Sequence, residues 1–352
     1  MKLLTWFTLS AILAAPVTRA ANPPEPSWAY GYLTPPAPGE KPTTPALSAP
    51  ASPTQVDTVE QTRLRHVEGS TRAFSLTQIQ NRRDVVDWFP DEHPPMPPIV
   101  RNGSPTLGDK AYGCALCHQP HGMGRPENAP INGLPPGYFI RQLEDFRNGL
   151  RGSSDPRKSN TRAMIALAQA MTDEEMKAAA DYYAALPATP WIRVVETDFV
   201  PKTEITSARQ FRAIETARTE PIAGRIIEVP ENSEQVELRN PHTGFVAYVP
   251  VGSIRRGEML VTTGGATVVD GKIMPGKTVA CITCHGPDLK GLNDSPPIAG
   301  RSPSYLVRQL FDIQQGTRKS PLSQTMLPVV AHLTTEDFVA IAAYVSSLAP
   351  PR

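Results

Sequence analysis

Four cysteines in 352 residues, all inside two short strings, leave none over for a disulfide framework. Aromatic residues make up only 7% of the chain and the formal net charge is +1. No basic block and no interleaving of aromatic with basic residues occurs, so the electrostatic footprint of a nucleic-acid binder is missing. Beyond the N-terminus no apolar run approaches the ~20 residues that a helix needs to cross a bilayer, so no integral span is expected in the mature chain. Proline, by contrast, is abundant at 39 residues, which argues for long extended or turning stretches beside the folded parts. A chain of 352 residues exceeds what one hydrophobic core usually serves, so two or more domains are expected.

The N-terminus reads as an export signal. Lys2 gives a positive start, residues 3–15 form an apolar run too short for a comfortable span, and Thr18-Arg19-Ala20 suits cleavage after Ala20. No cysteine follows the cut, so no lipid anchor is expected. Loss of Lys2 and Arg19 takes the formal charge from +1 to −1. The expectation is an exported, periplasmic, near-neutral protein.

The chain repeats itself. At an offset of 167, Cys114, Cys117 and His118 fall on Cys281, Cys284 and His285. The register continues: Pro130-Ile131 meets Pro297-Ile298, Tyr138 meets Tyr305, Arg141-Gln142-Leu143 meets Arg308-Gln309-Leu310, and Arg151 meets Arg318. After a five-residue loss the match resumes at offset 162, where Met164 meets Met326, Thr172 meets Thr334 and Tyr182 meets Tyr344. This is a duplicated domain.

Each copy ends in a helix with readable limits. Thr172 and Glu175 form a capping box, with Met176, Ala179, Ala180, Tyr183 and Leu186 following at helical spacing before Pro187. Thr334 opens the matching helix in the second copy, whose apolar face is Phe338, Ile341, Ala342, Val345 and Leu348, with Pro350 as the stop. Earlier helices are expected over 138–146 and 304–313. Domains of about 75 residues are marginal alone, and a large buried apolar cofactor would complete such a core. Between the copies, short strands are expected over 224–229, 236–238 and 244–249, and a hairpin with an Asp270-Gly271 turn over 268–273.

Cys114-Ala115-Leu116-Cys117-His118 and Cys281-Ile282-Thr283-Cys284-His285 match the attachment signal of c-type haem. Two thiols three residues apart can form thioethers to one porphyrin and leave the adjacent histidine under the iron. A zinc site would need four ligands converging across domains and leaves each histidine unexplained. A thioredoxin-like dithiol needs a βαβ context that is missing. Two haems are therefore expected, one per copy.

The repeat also points to the other axial ligand. Met326 is the only methionine after His285, and its partner is Met164. Met123, Met171 and Met176 have no methionine partner in the second copy. A thioether ligand raises the haem potential and closes the iron to outside ligands, which favours electron transfer. Pro130 and Pro297, each twelve residues after the haem histidine, are candidates to present a backbone carbonyl to the imidazole. Arg141 and Arg308 either face haem propionates or are solvated helix charges; Tyr138 and Tyr305 are expected to pack the core.

Taken together, Cys-x-x-Cys-His, Pro-Ile-x-Gly, Tyr-x-x-Arg-Gln-Leu, the methionine and the capped last helix resemble the class I c-type cytochromes, in particular their two-domain dihaem members. The resemblance covers roughly 100–187 and 253–350. It implies a mostly α fold with two tandem class I domains, His118/Met164 and His285/Met326 as axial pairs, and a periplasmic electron carrier. The implied partners are redox proteins such as a dehydrogenase, an oxidase or another cytochrome. The expected division is a signal peptide at 1–20, an irregular Pro-rich region at 21–98, domain 1 at 99–190, a linker with a small β insert at 191–252, and domain 2 at 253–352. No catalytic residue is assigned. The rival reading is a peroxidase-like or thiosulfate-type oxidoreductase with one open haem site, for which His93, His121, His242 and His332 are candidates among the histidines outside the motifs. A weaker third reading is a structural partner acting through the Pro-rich tail.

Overall fold

The computed structural model describes residues 25–41, 58–206, 209–214 and 218–351; the expected signal peptide lies outside the described residues. Domain 1 runs through α1 (Pro98–Arg101), α2 (Ala115–His118), α3 (Pro136–Arg147), α4 (Ser159–Ala170) and α5 (Asp173–Ala184). The capping box that opens α5 is present, with the Thr172 side chain accepting from the Glu175 amide and the Glu175 carboxylate accepting from the Thr172 amide. Its apolar stripe of Met176, Ala179, Ala180 and Tyr183 is buried against Ile99, Val100, Leu143 and Leu167.

The segment between the copies forms a three-stranded sheet from β1 (Ile192–Glu196), β2 (Ile227–Pro230) and β3 (Phe245–Val249), in the order β1-β3-β2. β3 pairs parallel to β1, with Ile192 opposite Phe245, and antiparallel to β2, with Ile227 opposite Tyr248. The strand expected over 236–238 is not there. Ser233–Glu237 is instead a short helix, α6, because the Asn232 side chain accepts from the Gln235 amide and caps it. Three alternating residues were too few to define a period.

Domain 2 comprises α7 (Ser253–Thr263), the hairpin β4 (Thr267–Val269) and β5 (Lys272–Met274), α8 (Ile282–His285), α9 (Pro303–Gln314), α10 (Pro321–Gln324), α11 (Leu327–Val330) and α12 (Thr335–Ser347). Asp270 and Gly271 both take positive φ, 49° and 74°, as an Asp-Gly hairpin turn requires. α7 lies tight against α12: a Cβ placed on Gly257 would stand 2.0 Å from the Ala340 carbonyl oxygen. Only a residue without a side chain permits that approach.

The described residues of the N-terminal region form only short elements, yet they are packed. Trp28, Ala29 and Tyr30, in a short 3-10 turn over Ser27–Tyr30, belong to the domain 2 core, and Tyr30 is fully buried. The Tyr30 hydroxyl donates to Asp312 at 2.7 Å, and Arg308 donates to the Ala29 carbonyl at 2.5 Å. Farther along, Val67, Ile79, Val86 and Trp88 form a small core with Leu238, and the Trp88 indole donates to the Leu238 carbonyl at 2.8 Å. Among the described residues no single helix is long and apolar enough to cross a membrane.

Candidate functional site

α2 is one turn long, and that turn places Cys114, Cys117 and His118 together on the wall of a cleft of about 270 Å³. Met164, on α4, lines the same cleft, with Leu134, Phe139, Leu143, Phe146 and Leu167 supplying apolar wall. Four residues separated by up to 50 positions are thus gathered around one space.

The His118 ring is held in a defined state. Its Nδ1 lies 2.8 Å from the Ala129 carbonyl, which can only accept, so Nδ1 carries the proton and Nε2 keeps its lone pair. Burial pushes the imidazole down to about 4, so it stays neutral at ordinary pH. In the second copy His285 Nδ1 lies 2.9 Å from the Pro296 carbonyl, and burial again lowers its pKa. The acceptors are thus one residue ahead of Pro130 and Pro297, correcting the expectation that those prolines supply the carbonyl. A proline holds the residue before it in extended backbone, and it is that residue whose carbonyl faces the ring.

The cysteines are unpaired. Burial pushes the Cys114 thiol up to about 12 and the Cys281 thiol up to about 11. Among the described residues no group of three or more His, Cys, Asp or Glu is placed to hold a metal ion, and the two cysteine pairs do not converge. In domain 2, Met326 packs against the same core as Cys281 and Ile282. The Thr278 hydroxyl donates to the Val329 carbonyl, lacing the bend before Cys281 to the helix after Met326.

The two copies meet in a reciprocal network. Arg151 donates to Gln142 in its own copy (2.9 Å) and crosses to Gln309 (3.0 Å) and Tyr305 (3.4 Å). Arg318 donates to Gln309 (3.1 Å) and crosses to Gln142 (2.8 Å) and Tyr138 (2.9 Å). An antiparallel bridge joins Arg151 to Arg318. Tyr138 and Tyr305 therefore serve the contact between copies; Tyr305 also packs against the domain 2 core as expected, whereas Tyr138 lines the first cleft instead. Tyr305, Arg308, Gln309 and Asp312 of the second copy also line the first cleft. Of the two arginines considered for propionates, Arg308 lies on this wall, whereas Arg141 pairs with Asp294 at 2.7 Å in a partly exposed position.

Two further residues were not legible from the motifs. Arg239 of the insert donates to the Leu116 carbonyl inside the first Cys-x-x-Cys-His string, and Arg125 donates to the Val236 carbonyl at 2.6 Å. The insert is thus a clasp on the first haem motif. The spare histidines do not reach the first cleft. His93, His121 and His242 line a separate one with Trp191 and Glu231, and His332 is exposed.

Comparison with protein families matches cytochrome c over residues 106–186 and again over 268–349. The chain is similar to the thiosulfate dehydrogenase electron acceptor of Stutzerimonas stutzeri, with 28% identity over 242 residues, 68% of this chain and 80% of that protein. It is 34% identical over 92 residues to cytochrome c4 of Pseudomonas aeruginosa, 25% of this chain and 45% of that one. It is 38% identical over 72 residues to cytochrome c-554(548) of Halomonas halodenitrificans, 20% of this chain and 87% of that protein. The chain belongs to the cytochrome c family. With two such domains it carries two c-type haems and is an electron-transfer protein.

The residues of the first cleft fit that group. The first cleft combines an apolar lining with a paired-thiol edge, a neutral imidazole whose Nε2 carries no proton, a thioether and a buried amine, Lys158 Nζ, that has no hydrogen-bond partner among the described residues. These suit a porphyrin's vinyl edge, its iron and its carboxylate tails.

Proposed function

We propose that the haems are bonded through Cys114 and Cys117 and through Cys281 and Cys284, with His118/Met164 and His285/Met326 as axial pairs. The observation that carries this is the gathering of Cys114, Cys117, His118 and Met164 on one cleft. When bound, each haem supplies one-electron redox chemistry; the chain's own part is to fix the ligands, exclude water and bring the two sites together. The Ala129 and Pro296 carbonyls keep each imidazole oriented with its proton on Nδ1, while burial keeps it neutral. We assign domain 1 to 99–190, the clasp to 191–252 and domain 2 to 253–352, with 1–20 as an export signal and the periplasm as destination.

The partner we propose is a thiosulfate-oxidising dehydrogenase whose electrons this chain accepts. The likeness to the S. stutzeri acceptor supports it, since that likeness extends over 68% of this chain. The test mixes oxidised protein with thiosulfate and such a dehydrogenase and follows haem reduction by stopped flow. Reduction should need all three components and stop at two electrons per chain. Reduction by thiosulfate alone, or carbon monoxide binding at one haem, would favour the oxidoreductase reading instead.

A further inference from the structure

The two sites are built by one repeated sequence but differ in charge. Lys158 stands just ahead of α4, is 3% exposed and lines the first cleft. Its Nζ reaches no hydrogen-bond acceptor among the described residues. An ammonium removed from water and left without a partner is costly, so such a group implies a counter-ion that belongs to the assembled site. Glu127 lines the same cleft, but one of its carboxylate oxygens is also buried and unpartnered, and the two side chains are not joined. The offset that aligns Met164 with Met326 carries Lys158 onto Ser320. That serine is buried and spends its hydroxyl on Ser323 at 2.8 Å. The second site therefore has no equivalent charge at this position.

We propose that Lys158 is a potential-setting residue, pairing its ammonium with a carboxylate tail of the first haem and raising that haem's reduction potential relative to a site without it. The inference rests on the haem attachment proposed above. Reduction adds one electron to the iron, and a nearby cation in a water-poor site favours the added charge. Arg308, Glu127, Asp155 and Arg209 are the other charges that Lys158 feels. Arg308 is already committed to the Ala29 and Pro126 carbonyls, whereas Lys158 Nζ is committed to no acceptor among the described residues. Burial, and after it the Arg308 charge, lowers the lysine pKa, and the haem carboxylate is the partner that keeps it charged.

The experiment is a spectroelectrochemical titration of the full-length dihaem protein, with haem counted by its pyridine complex. Lys158→Met should lower one midpoint by about tenfold in the reduction equilibrium, 59 mV for one electron, and leave the other in place. Lys158→Arg should restore it, and Lys319→Met, at an exposed position, should change neither. In a Met326→Ala background only the first haem keeps the methionine–iron band, so the shift should appear in the midpoint of that band. Lys158→Gln provides a second neutral variant should Lys158→Met load haem poorly. Two haems per chain with both midpoints unmoved in either neutral variant would overturn the proposal while leaving the attachment intact. A wild-type chain without haem on Cys114 and Cys117 would overturn the attachment itself.

Discussion

Replacing Gly257 by alanine sets two physical effects against each other. In a helix interior, alanine is favoured over glycine by roughly 0.5–1 kcal/mol, so propensity alone predicts a more stable protein. The structure predicts the reverse. The new Cβ would lie 2.0 Å from the Ala340 carbonyl oxygen and 2.7 Å from the Tyr344 Cβ, so one helix must move. Overpacking of this kind costs about 1–3 kcal/mol, and contact with backbone puts it in the upper part of that range. The net loss should be about 1–2 kcal/mol. For a domain of this size each kcal/mol lowers the melting temperature by roughly 4–8 °C. Thermal unfolding followed by far-ultraviolet circular dichroism measures it. Gly137→Ala is the matched control: it lies near the start of α3, is exposed, and its Cβ would meet only the far end of Arg141 at 3.4 Å. That variant should be neutral or slightly stabilised. A Gly257→Ala protein as stable as wild type would refute the close packing of α7 on α12.

Other outcomes follow from the same geometry. Met164→Ala and Met326→Ala should each remove half of the methionine–iron absorbance near the red edge of the visible spectrum; its survival in the double variant would reject the ligand assignment. Glu228 is buried and accepts from the Ser302 hydroxyl at 3.0 Å and the Ser304 amide at 2.6 Å, so Glu228→Ala leaves donors orphaned at the start of α9 and should cost about 1–3 kcal/mol in denaturant unfolding. Burial, helped by His93 and His242, pushes His121 down to about 3. A depressed pKa means that the folded state holds the ring neutral, so its contribution is complete above the unfolded value of about 6.5 and is lost as pH falls from there toward 3. The drop in denaturant midpoint between pH 7.5 and pH 5 should be smaller in His121→Gln than in wild type; an equal drop in both would remove His121 as the cause.

Local chemistry made part of this molecule readable in advance. Thr172 and Thr334 with their partners three residues on announce helix starts, Asp270-Gly271 announces a turn, and duplication pairs Met164 with Met326 without any three-dimensional knowledge. The unread parts depend on distant contacts. Trp28 and Tyr30 sit in a Pro-rich stretch with no period, and only the meeting of Tyr30 with Asp312, 282 residues away, shows that the stretch belongs to a core. Arg239 carries no motif, and its role exists because the insert folds back onto Leu116. β1 was not anticipated because it is supported by a parallel neighbour more than fifty residues later. Pro130 and Pro297 marked the right turns, but the geometry of the bond before a proline assigns the carbonyl to Ala129 and Pro296.

The arginine–glutamine–tyrosine exchange between the copies has a consequence for how such a molecule could have arisen. Each copy holds both halves of the same handshake, so a separated half would be self-complementary under a twofold rotation and should form dimers. Two free halves would come together only in proportion to their amounts. Joining them in one polypeptide replaces that dependence with a fixed local concentration, so the paired arrangement persists however dilute the protein becomes.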